Sequence, residues 1–150
     1  MHLPSKGKTP EGYDKELIKM IYELEALESE AVGKEIHTDL ICLIGYMKIL
    51  TPEFIKEFEG RIVNVHPSLL PKHGGMGMFG DRVHQAVLDA GEKQTGMTIH
   101  SVTEVADEGE IISQKIVPVE PGDTVETLRQ KVQAEEKIGY IEVLKSLSSH

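Results

Sequence analysis

Hydrophobic positions along the chain change period several times, and each change marks an element. Leu17, Ile21, Leu24 and Leu27 fall at helical spacing and give one apolar face. Thr9-Pro10-Glu11 starts that helix with a capping hydroxyl, a proline in the first turn and an acid at the positive end. The acidic segment Glu28-Ser29-Glu30, or Gly33 just beyond it, ends the helix, and Glu23, Glu25, Glu28 and Glu30 read as a solvated face. Residues 1–8, broken by Pro4 and Gly7, read as an extended lead-in. Leu40-Ile41-Cys42-Leu43-Ile44 is continuously apolar and stops at Gly45, which suits a strand buried on both sides, as in a parallel sheet. Thr51-Pro52-Glu53 opens a second helix, with Phe54, Ile55 and Phe58 as its buried side and Gly60 as its stop. Ile62, Val63 and Val65 then form a short strand, which Pro67 ends directly after His66.

This strand-helix-strand unit is the right-handed parallel crossover of an α/β sheet, where ligands sit beyond the carboxyl ends of the strands. Asp81 can cap a following helix that carries Val83, Ala86, Val87 and Ala90, is closed by Gly91, and leaves His84 on its surface. Met97 to Val102 alternates as a strand, with Thr98, His100 and Val102 on one face and Met97, Ile99 and Ser101 on the other. Asp107-Glu108-Gly109-Glu110 is a tight acidic turn, and Ile111 to Val117 is the return strand, ending at Pro118. After the turn at Pro121-Gly122, Asp123 and Glu126 stand in capping-box spacing. The last helix carries Val125, Leu128, Val132, Ile138, Ile141 and Leu144; Gly139 weakens it by about 1 kcal/mol relative to alanine and allows a bend. The pattern as a whole predicts an α/β class, with a mostly parallel central sheet flanked by helices and an antiparallel C-terminal strand. No repeat or low-complexity linker divides the 150 residues, so a single domain is expected.

Composition narrows the function classes. A net charge of -9 argues against a general nucleic-acid surface, and an anionic substrate would need a local cationic pocket. No apolar run is long enough to span a membrane, and no signal-peptide pattern occurs. One cysteine, Cys42, lies in an apolar run; it fits a reducing cytoplasm and a small core residue better than a nucleophile. The seven histidines include no i, i+4 pair, and no metal site is expected.

Candidate chemistry begins at the end of the Ile62 strand. Asn64 and His66 are two residues apart, so they share a face. Acyl transfer develops an oxyanion, which needs a fixed donor and an acid beside it. An asparagine amide and an imidazole supply both. The plainer reading is a turn histidine before proline, next to a turn asparagine. Asp107 is open in the same way, because most aspartates ahead of a glycine serve only their turn.

The longer string Asn64-Val65-His66-Pro67-Ser68-Leu69-Leu70-Pro71 resembles the signature of the folate-dependent formyltransferases. Thr98-Ile99-His100-Ser101-Val102, followed by Asp107-Glu108-Gly109 and Ile111-Ile112, is similar to the family's next motif. Within the family the likeness is strongest to the branch that formylates glycinamide ribonucleotide. It runs from about Tyr13 to Tyr140, with an extra stretch near residues 28–37.

The resemblance implies a Rossmann-like fold. It also implies transfer of the formyl group of 10-formyltetrahydrofolate to the amine of glycinamide ribonucleotide in purine synthesis, without a metal. By it, Asn64 and His66 are catalytic, and Asp107 pairs with His66 and helps move the proton of the attacking amine. Met47, Lys48, Ile49 and Leu50 match a folate-contacting segment, for which an ordinary strand-to-helix connection is nearly as good an account. Thr103, Glu104, Val105 and Ala106 match a second folate loop. Pro67, Gln133 and Glu136 match positions near the acceptor substrate. His100 contacts the cofactor or reinforces the site on one reading, and is a satisfied strand histidine on the other. The glycine-rich run from Lys72 to Gly80 can wrap a substrate with backbone amides, though such turns need no ligand.

Family members open with a strand, a glycine-rich loop and a helix whose amino end holds the substrate phosphate. No Gly-x-Gly pattern after a strand occurs here before Leu40. The resemblance therefore implies an N-terminally incomplete catalytic domain, with a sheet edge or apolar surface to be covered by a homodimer or a separately encoded N-terminal half. Three alternatives accompany the leading reading: a non-catalytic folate-binding remnant, one half of a split enzyme, and another folate-dependent formyltransferase or formyltetrahydrofolate hydrolase. The hydrolases usually carry a second histidine where Pro67 stands.

Overall fold

The computed structural model describes residues 7–147, so most of the lead-in read at residues 1–8 lies outside the described residues. The first helix, α1 (Pro10–Val32), starts at Thr9, whose side chain accepts from the Gly12 amide, and ends at Gly33 in the left-handed conformation. Strand β1 (Ile41–Leu43) leads to α2 (Pro52–Glu57), capped by Thr51, and then to β2 (Ile62–His66). The Thr51 amide donates to Asp14 of α1 at 2.6 Å, which ties the two helices together. Helix α3 (Asp81–Asp89), the hairpin of β3 (Gln94–Ser101) and β4 (Ile111–Pro118), and α4 (Val125–Leu147) complete the chain.

The strands lie in the order β1-β2-β3-β4. β1 and β2 pair in parallel, and β3 joins β2, and β4 joins β3, antiparallel. The α/β class holds, but the sheet is mixed rather than mostly parallel: only β1–β2 is a parallel pair, and the strand that runs against its neighbours is β3, between β2 and β4. The alternation of side chains places two cores on its two faces. On one face Val63, Met97, Ile99 and Val117 pack with Val132, Tyr140 and Val143 of α4, joined by Leu40, Cys42 and Val65. On the other, Ile62, Ile41 and Leu43 pack with Phe54, Ile55 and Phe58 around α2 and with Leu17, Ile18 and Ile21 of α1. Both faces of β1 are covered, but its outer edge has no partner among the described strands, so it is only half-buried.

Four further expectations change. Leu24 and Leu27 of α1 are exposed, because the packed part of that helix ends near Ile21. In α4 the buried arc runs through Leu128, Val132, Tyr140 and Val143, leaving Ile138, Ile141 and Leu144 exposed. Gly139 sets that arc: a Cβ there would stand 1.9 Å from the buried Met97 methyl, so the glycine lets the helix sit close on β3. Asp81 is not a cap; Gly80 holds the cap position, and the Asp81 carboxylate instead accepts from Arg129 of α4 at 2.9 and 3.1 Å. The α4 box is made by Thr124 and Thr127, each hydroxyl taking the other's amide, while Asp123 binds the Glu120 amide and Lys131. Among the described residues no helix is long and apolar enough to cross a membrane.

Candidate active site

The site grows from the antiparallel register of β2 and β3, which sets Asn64 opposite His100 and His66 opposite Thr98. All four side chains therefore share one face. Thr98 is fully buried and serves the turn that follows His66: its hydroxyl donates to the Ser68 carbonyl at 2.7 Å and accepts from the Leu70 amide at 3.0 Å. Gln114 of β4 adds two bonds, its side-chain amide donating to the Leu70 carbonyl and to the Thr98 hydroxyl. These bonds hold the turn after the histidine in place without using the histidine itself.

Asp107 comes from the loop after β3. It takes a left-handed conformation, φ 59°, which aspartate tolerates better than most residues. Gly109 presses on the strand it has left, and a Cβ there would lie 1.7 Å from the Ser101 carbonyl oxygen. The loop returns Asp107 to the end of β2. Its Oδ2 lies 3.3 Å from His66 Nδ1 and accepts from the Gly75 amide at 2.8 Å. Its Oδ1 lies 3.5 Å from His100 Nε2, which is itself 3.4 Å from the Asn64 amide nitrogen. His100 Nδ1 faces the Ser101 carbonyl at 2.9 Å.

Both nitrogens of His66 thus face oxygen acceptors, Asp107 on one side and the His73 carbonyl at 2.8 Å on the other. That geometry favours the imidazolium, whereas burial opposes it. Burial is the larger influence and lowers the His66 pKa below its ordinary value, with Asp107 and the His73 carbonyl pulling it back up. Burial pushes the Asp107 carboxyl up, but the His100 hydrogen bond, the charge of His66 and the Gly75 amide together hold it below the usual range. Glu136, half-buried on α4, is raised by burial. The result is an ionised acid fixed against an imidazole whose proton is easily given up.

The cavity at this end of the sheet is about 520 Å³, within the range of small-molecule sites. The candidate catalytic, folate-contacting and acceptor-side residues named from the sequence all border it, as do residues 75–80 of the glycine-rich run, whereas Lys72, His73 and Gly74 lie outside its lining. Asn64, His66, Asp107 and His100 line it together, as do Met47, Lys48, Ile49 and Leu50 and, after β3, Thr103, Glu104, Val105 and Ala106. Pro67, Gln133 and Glu136 border it from the β2 turn and α4. The segment at residues 47–50 is a loop whose Lys48 ammonium rests 3.8 Å from the centre of the Tyr13 ring. Tyr46 adds a hydroxyl that is buried there without a partner, its pKa pushed up to about 12, first by burial.

His84 is a correction. It is 2% exposed rather than on the surface, and it borders the cavity. Its helix packs against α4, so the buried arc of α3 takes in residue 84 beside Val83 and Val87. Arg129 of α4 also borders the cavity and was not readable from sequence; an arginine four residues before Gln133 on the same helix was the available signal. Among the described residues no group of three or more His, Cys, Asp or Glu side chains is placed to hold a metal ion.

Comparison with known proteins identifies the family. The sequence profile of the family described as formyl transferase matches residues 19–144. The chain is 47% identical over 110 residues to the trifunctional purine biosynthetic protein adenosine-3 of Bos taurus, covering 73% of this chain and 10% of that protein. It is 40% identical over 119 residues to the phosphoribosylglycinamide formyltransferase of Haemophilus influenzae, covering 77% of this chain and 54% of that one. The solved glycinamide ribonucleotide transformylase 1 of Symbiobacterium toebii superimposes with a TM-score of 0.72 at 38% identity, over 94% of this chain and 58% of its own. This chain thus spans little more than half the length of the Haemophilus influenzae and Symbiobacterium toebii proteins. With motif, cavity and fold in agreement over most of its residues, it belongs to the formyl transferase family.

Proposed function

We propose that this chain carries the catalytic half of a one-carbon transfer, moving a formyl group from 10-formyltetrahydrofolate to the amine of glycinamide ribonucleotide in cytoplasmic purine synthesis. The folate, as co-substrate, supplies the formyl group. Residues 47–50 and 103–106 hold it, in keeping with their place along the cavity. Pro67, Gln133 and Glu136 border the acceptor's side of the cavity.

Asn64 donates its amide to the oxygen that gains charge when an amine adds to a formyl carbon. Protonated His66 keeps Nε2–H on the His73 carbonyl and shares Nδ1–H between Asp107 and that oxygen, or passes it to the departing nitrogen. Asp107 supports the imidazolium at Nδ1 and takes up the proton released by the attacking amine, directly or through water. His100, in contact with both Asn64 and Asp107, keeps donor and acid in register. Only small molecules fit this role; neither nucleic acid nor a membrane takes part. A second copy of the chain would cover the free edge of β1.

The observation that carries the reading is the 3.3 Å approach of Asp107 to His66 inside a cavity that also holds Asn64. The test is a steady-state assay of released tetrahydrofolate with glycinamide ribonucleotide, a sugar-nucleotide amine or water as acceptor. Release that depends on glycinamide ribonucleotide supports the reading. Release to water alone would make the chain a hydrolase, and folate binding without release would make it a binder.

A further inference from the structure

His84 is the one buried polar group at the cavity that the proposed chemistry leaves unused. Its Nδ1 is sealed from solvent and has no hydrogen-bond partner, and no bond of its Nε2 is formed within the described residues either. Buried polar atoms without partners are rare in folded proteins, and each calls for a reason. The cost of this one is avoidable: Val83 and Val87 beside it are fully buried, and an apolar ring would fill the same space. The ring nevertheless borders the cavity. Since Nδ1 is the sealed atom, the ring's remaining access to the cavity lies toward Nε2.

The neighbours say which substrate it meets. The Asp81–Arg129 ion pair ties the start of α3 to α4, so His84 shares its wall with Arg129 and Gln133 rather than with the 103–106 loop. A sealed N–H without an acceptor is costlier than a sealed lone pair, so the proton belongs on Nε2. We propose that His84 is a specificity-determining residue, which donates a hydrogen bond from Nε2 to an acceptor oxygen (hydroxyl, carbonyl or phosphate) of the amine substrate. The inference rests on the formyl-transfer reading and adds a residue to the acceptor's side of it. Burial and the positive charges of Arg129 and His66 lower the His84 pKa against the pull of Asp81, so the ring is a neutral donor at the pH of the reaction. A neutral donor discriminates by hydrogen bonding rather than by charge, which suits a wall where Arg129 is already paired with Asp81 and Glu126.

The test is equilibrium binding of glycinamide ribonucleotide and, separately, of 5-formyltetrahydrofolate to the wild-type chain and to His84→Phe. The phenyl ring keeps the shape and removes only the hydrogen bond. The expected result is acceptor binding weakened by about 3- to 10-fold, folate binding unchanged, and a thermal midpoint that does not fall. Equal weakening of both ligands would mean a structural role, and unchanged acceptor binding would mean no contact; either overturns the inference. Should the variant fail to fold, the wild-type chain still decides through the ¹⁵N resonance of His84 Nε2. A shift on saturation with the acceptor supports the contact, and an unmoved resonance overturns it. If the wild-type chain binds folate but not glycinamide ribonucleotide, the acceptor assignment itself fails, and this inference fails with it.

Discussion

His66 Nδ1 stands 3.3 Å from Asp107 Oδ2, although the two residues are 41 positions apart and belong to different elements. The separation is closed by one antiparallel register and one tight loop, and both are set by small buried groups. Thr98 holds the turn after His66, and Gly109 lets the loop fold back on Ser101. The pair is therefore a product of the β2–β3 sheet rather than of local sequence.

Asp107→Asn keeps the side-chain shape and an oxygen for the Gly75 amide, but removes the charge that supports protonated His66. Turnover in formyl transfer should fall by about 10²- to 10⁴-fold, with folate binding nearly unchanged. The His66 pKa, followed by imidazole NMR, should drop further below its ordinary value. A pKa that stays in place would separate the two residues.

Asn64→Ala should lower turnover by about 10²- to 10³-fold, the usual loss for one oxyanion donor, with little change in thermal midpoint because the side chain is only partly buried. Rapid-quench measurement of the transfer step reads this directly. A change confined to KM would place Asn64 in binding instead.

Stability should depend on pH through two buried histidines. His66 and His84 both have pKa values lowered from 6.5 in the folded chain. Below pH 6.5 the unfolded chain then takes up protons before the folded one does, so stability is full above that pH. It is lost progressively as pH falls from there toward the folded values. Thermal melts across this range should show the decline, and His84→Phe should flatten part of it.

Gly109→Ala would set a methyl 1.7 Å from a backbone carbonyl that cannot swing away. The turn must open, at a cost of about 1–3 kcal/mol, and Asp107 must move with it. Both the thermal midpoint and the turnover should fall. A stable variant with reduced turnover would place the glycine's role in positioning alone.

Much of this was legible in the residues. Thr9 and Thr51 announce their helices through local capping chemistry, and the alternation about Ile62 and Thr98 gives the strands and their shared face. Asn64, His66 and Asp107 stand in strings long enough to carry a family resemblance. What sequence could not give depends on tertiary approach. His84 is buried only because α3 lies against α4, and the arc of α4 is turned by the fit of Gly139 on Met97. Asp81 matches a capping pattern, but the Arg129 guanidinium competes for it from another helix. A single helix's periodicity contains none of these.

The most direct test of the central claim follows a ¹³C-labelled formyl group from 10-formyltetrahydrofolate, in wild-type protein and in His66→Ala. The label should appear as formylglycinamide ribonucleotide with the wild-type chain, and His66→Ala should abolish this while it still binds folate. Label transferred equally by both proteins, or by neither despite bound folate and acceptor, would contradict it.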